Sequence, residues 1–177
     1  AAALLARVQM IETFITLRAG QTREAAATAL DLARSLRAQA SEQLPSRPTR
    51  RLGTRDFAPP ASSTHDLWLQ NYLLVALGEG GETERAAALA EDLVADMSAR
   101  GDGLFLAVAQ LYRSALALRR GDQATHTAAL TAGWQICEEH GFRFLPGLPQ
   151  AVIEQSVAAA LEFGLAPKAV GEVLRHA

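Results

Sequence analysis

The chain has 177 residues, a formal net charge of −2 and a pI of about 6.1. That length fits one domain or one stretch of a repeat array, and the charge gives no global basic field that would recruit nucleic acid. There are 36 Ala and 26 Leu against only 12 Val plus Ile, which excludes a mainly β domain and predicts an all-α fold, because strands favour β-branched and aromatic side chains.

Glycines punctuate the helical patterns. Gly20, Gly81, Gly121 and Gly164 each follow one apolar-periodic segment and precede another, the position of glycine just past a helix end. The spacing predicts helices over 3–18, 22–40, 64–77, 83–99, 104–119, 123–139, 149–163 and 167–175, or about four antiparallel pairs. Ser63 with Asp66 has the form of a capping box, Asp102 and Asp122 are N-cap residues, and Pro149 and Pro167 suit a first helical turn. Between the first two pairs, 41–63 holds four of the seven prolines together with Arg47, Arg50, Arg51 and Arg55. This is a Pro/Arg-rich loop with two readings: its arginines grip phosphate or an acidic partner, or, as the proline-rich setting favours, it is a mobile, solvated loop.

The pairs repeat. The loop glycines at 81, 121 and 164 are 40 and 43 residues apart, and the 61-residue interval before Gly81 is one such repeat plus the 41–63 segment. Aligned on their glycines, the first three pairs place Gln9, Gln70 and Gln110 eleven residues before the turn, and Tyr72 opposite Tyr112. After the turn, GQTREAAATALDLA matches GETERAAALAEDLV in type at most positions. A two-helix unit cannot bury its apolar face alone, so such units stack and share one core. The expectation is therefore an α-solenoid, a tetratricopeptide-like superhelix, spanning 1–177 as one repeat domain. The small Ala25, Ala29, Ala86 and Ala90 would let its helices approach closely. The opening AAALLAR carries no initiator methionine, which is read as a fragment of a longer protein.

From about Arg100 onward the stretches GLFLAVAQLYRSALALRRGD, AALTAGWQICEEHGFRFLP and AVIEQSVAAALEFGLAPKAVGEVL carry a more specific pattern, with Gly121-Asp122, Gly141-Phe142 and Gly164-Leu165 at successive helix ends. This run resembles the last repeats of the tetratricopeptide-like region in MalT-type bacterial transcriptional regulators, of the LuxR-type, ATP-dependent class. The resemblance implies a non-catalytic sensor segment that receives a small-molecule inducer or a regulatory protein. It would relay the result to ATPase and DNA-binding domains of the same regulator. The sequence itself has no G-x-x-x-x-G-K-[ST] phosphate loop and no recognisable helix-turn-helix, so ATP hydrolysis and direct nucleic-acid binding are not expected of these residues.

Candidate chemistry is sparse. Cys137 is the one cysteine, so no internal disulfide and no C-x-x-C centre can form, and Cys137 with His140 supplies two potential ligands where a metal site needs three or four. Neither a metal nor a cofactor is expected in this segment. Cys137 and His140 also lack a third group for nucleophilic catalysis, and the adjacent acids Glu138-Glu139 and Glu91-Asp92 read as solvated faces, so the chain is not expected to be an enzyme. Gln9, Gln70, Tyr72, Gln110 and Tyr112 have two readings. They form a polar-aromatic ladder for a sugar, metabolite or peptide if the first helix of each pair lines a concave face. Alternatively, each Gln bridges adjacent repeats and each Tyr fills the core between helices, as Trp68 and Trp134 are expected to do. A general interaction scaffold is the alternative function. No apolar run approaches the ~20 residues that span a bilayer and no signal peptide opens the chain, so the expected location is the cytoplasm, with no membrane partner.

Overall fold

The computed structural model describes residues 64–176. The predicted helices 3–18 and 22–40, the 41–63 loop, Gly20, Gln9 and the four arginines lie outside the described residues. Those described form six α-helices with no strand among them: α1 (Thr64–Glu79), α2 (Thr83–Arg100), α3 (Gly103–Arg119), α4 (Gln123–His140), α5 (Gln150–Glu162) and α6 (Pro167–His176). The chain divides into two compact units at the α1–α2 turn, Ala1–Glu82 and Thr83–Ala177.

Helix ends follow from local chemistry. Gly81, Gly101, Gly121, Gly141 and Gly164 all have φ between +65° and +88°, the left-handed region that an L side chain disfavours. At each, the next residue's amide reaches back five positions: Asp122 N donates to Ala117 O at 2.9 Å, and Leu165 N to Ala160 O at 2.8 Å. This closure uses carbonyls that the helix leaves unsatisfied. Gly101 and Gly141 complete a spacing of 20 residues from Gly81 to Gly141, one helix and one turn per step. Helix starts follow the N-cap rule. Asp102 Oδ1 accepts from Phe105 N at 3.3 Å, and Asp122 Oδ1 from Thr125 N at 3.0 Å. Those bonds to Thr125 are the main cause holding the Asp122 carboxyl below its ordinary value of 3.8. Pro167 opens α6 as expected, while Pro149 is the N-cap of α5 and Gln150 its first residue.

In the first unit, α1 is buried continuously from Gln70 to Gly78. It also carries an internal polar contact, Asn71 Nδ2 to Leu67 O at 3.2 Å. The second unit is built around α3, which buries Phe105, Ala107, Val108, Ala109, Leu111, Tyr112 and the run from Ser114 to Ala117, and which packs against α2, α4 and α5. Two ion pairs tie α2 to α3 and its C-cap, Glu84–Arg120 at 3.1 Å and Glu91–Arg113 at 2.6 Å. Moving seven residues forward on α2 moves seven back across α3, so the two helices run antiparallel.

The α3/α4 contact is closer and runs the same way. A Cβ placed on Gly133 would lie 2.8 Å from both Cγ and Cδ2 of Leu111, so the missing side chain is what lets α4 approach α3. At one end of this contact the His140 ring lies against Gly103 and stacks on Phe142 at 5.3 Å. Toward the other, His126 reaches Ser114. Trp134, fully buried, carries α4 onto α5 through Nε1–H to Ser156 O at 3.2 Å. Glu138 carries α4 onto α6, its Oε2 accepting from Ala169 N at 2.7 Å. The solvated-face reading of Glu138 is therefore corrected: its carboxylate satisfies a free amide in the first turn of α6, where a negative charge is favoured by the helix dipole.

Candidate functional site

Each unit holds part of the Gln/Tyr set. In the first, Gln70 and Tyr72 are both 6% exposed, and the half-buried Trp68 ring tilts against Tyr72 with centroids 5.8 Å apart. Between them sits Asn71, 2% exposed, whose Oδ1 has no hydrogen-bond partner among the described residues. Such an acceptor costs free energy to bury, so this turn of α1 is polar at a place where an apolar side chain would be easier to cover.

In the second unit Tyr112 is fully buried, with the Arg119 guanidinium 6.0 Å from its ring centroid. A ring in that position fills space between helices; it offers no open face for a ligand to stack on. Gln110 differs. It is half-buried, and its Oε1 accepts from Arg113 Nη1 at 3.4 Å while Arg113 Nε donates to Glu91 Oε1 at 2.6 Å. The resulting Gln110–Arg113–Glu91 chain spans the α2/α3 seam. Because Arg113 engages the carbonyl end of the Gln110 amide, the NH2 end is left as the donor. Arg113 had no signal in the repeat alignment; the clue was only its position three residues after Gln110, one turn along the same face.

Buried polar chemistry centres on Ser114 and His126. Ser114 Oγ lies 2.8 Å from His126 Nδ1, which also sits 3.1 Å from Ser114 O. A hydroxyl beside an imidazole resembles half of a nucleophile–base pair. Yet Ser114 is 1% and His126 5% exposed, so a substrate has no path to the oxygen and the contact holds α3 to α4. Cys137 is likewise fully buried, and burial pushes its thiol up to about 12. The thiolate, which is the nucleophilic and metal-binding form, is thus suppressed at neutral pH. Among the described residues no group of three or more His, Cys, Asp or Glu side chains is placed to hold a metal ion, and no helix is long and apolar enough to cross a membrane.

No family model, curated protein or solved structure matches the chain.

Proposed function

We propose that this chain is a helical-repeat binding module, without catalysis of its own, that serves as the sensor or partner-binding array of a MalT-type transcriptional regulator. The observation that carries the repeat reading is the connectivity of the second unit. Its contacting pairs are α2/α3, α3/α4, α3/α5, α4/α5, α4/α6 and α5/α6; among the described residues of this unit no helix touches another three or more places away in the chain. Two-helix units stacked in line would produce that pattern, since each repeat then shares its core only with its neighbours. The left-handed glycine turns at Gly121-Asp122, Gly141-Phe142 and Gly164-Leu165, which carry the resemblance, end α3, α4 and α5 in one common geometry.

In this reading the array acts by population shift. An inducer or regulatory protein that binds one curvature of the stacked helices better than another changes the contacts the array makes with the ATPase and DNA-binding domains. The residue of the Gln/Tyr set best placed to meet such a ligand is Gln110, which is half-buried where Tyr112 in the same unit is fully buried.

The direct test is deletion of these residues from the full-length regulator, with inducer-dependent transcription as the readout. Loss of induction with retained DNA binding supports the proposal, and unchanged induction refutes it. Thermal-shift measurements against sugars and nucleotides address the small-molecule branch, because a ligand selective for the folded state raises its stability. If no such compound shifts the protein and a specific protein partner binds, the general interaction scaffold replaces the sensor.

A further inference from the structure

We draw no further inference here: the strongest candidate, the exposed apolar side chains Phe144, Leu161, Phe163 and Leu174 on and just before the α5/α6 pair, is an unpartnered surface, and nothing in the structure shows what covers it.

Discussion

Gly133→Ala sets two effects of opposite sign against each other in the middle of α4. Replacing glycine by alanine inside a helix ordinarily stabilises it by about 1 kcal/mol through backbone entropy. Here the added methyl would sit 2.8 Å from Leu111 Cγ and Cδ2 and 3.3 Å from the Leu111 backbone N. Leu111 is fully buried, and two of the three clashing atoms are Cγ and backbone, which cannot swing aside as a side-chain tip can. Overpacking of this kind costs about 1–3 kcal/mol, and the clash with Cγ and backbone places it in the upper half of that range. The net expectation is a destabilisation of about 1–2 kcal/mol, or a few degrees in Tm for a chain of this size.

Urea unfolding followed by Trp134 fluorescence reads this directly, since the indole is fully buried one residue from the substitution. Circular dichroism then checks that α-helix content is unchanged. A second variant isolates the mechanism. Leu111→Ala alone should cost about 2–5 kcal/mol from the cavity it leaves, but it also makes room for the new methyl. The double variant should therefore be more stable than the two single losses predict, by about 1 kcal/mol or more. A Gly133→Ala protein stabilised by the full helix-propensity gain, or strict additivity in the double variant, would refute the close-approach account of the α3/α4 seam.

Trp134→Phe keeps an aromatic ring but leaves Ser156 O without its indole donor, so it should lose about 1 kcal/mol or more, against about 3–5 kcal/mol for Trp134→Ala, measured by denaturant unfolding. Native Cys137 should resist a thiol reagent at pH 8 and react once unfolded. Its raised value also carries a sign: the unfolded thiol ionises above its ordinary 9.0 while the folded one stays neutral to about 12, so this group's contribution to stability falls as pH rises between those values and is flat below them. Replacing Cys137 with Ala should remove that alkaline component from the pH profile. Asp122→Ala removes the cap of α4, and because the folded carboxyl lies below 3.8, its stability deficit relative to the parent should be present at neutral pH and fade as pH falls below about 4. Glu138→Gln should weaken the docking of α6, seen as faster amide exchange at Ala169, whereas Glu139→Gln, on an exposed neighbour, should leave that exchange unchanged.

The predicted helices over 64–77, 83–99, 104–119, 123–139, 149–163 and 167–175 differ from α1–α6 by no more than two residues at any end. Their legibility has a local cause. A glycine turn closes over five residues and an Asp cap over three, so the deciding partners lie within five residues of each other in the sequence. The periodic Ala/Leu pattern between these stops then leaves helix as the only regular structure that can form. Gly133 was legible in principle, because a glycine inside a helical pattern is often a point of close approach, but its neighbour Leu111 was not.

The candidate site was less readable than the fold. Gln70, Tyr72, Gln110 and Tyr112 stand at equivalent repeat positions, yet Tyr112 is sealed while Gln110 is half-buried. Two residues separate them, which on a helix is a rotation of about 200°, so repeat alignment places both without saying which faces the core. Composition, glycine spacing and caps thus determined by themselves that the described chain is helical and where each helix starts and stops. Only the tertiary structure decided that Ser114 meets His126, that Gly133 admits Leu111, that Trp134 reaches Ser156 and that Glu138 caps α6, pairings 12 to 31 residues apart. Those depend on the rotation and approach of whole helices, which are set by packing summed over many side chains and by no single motif.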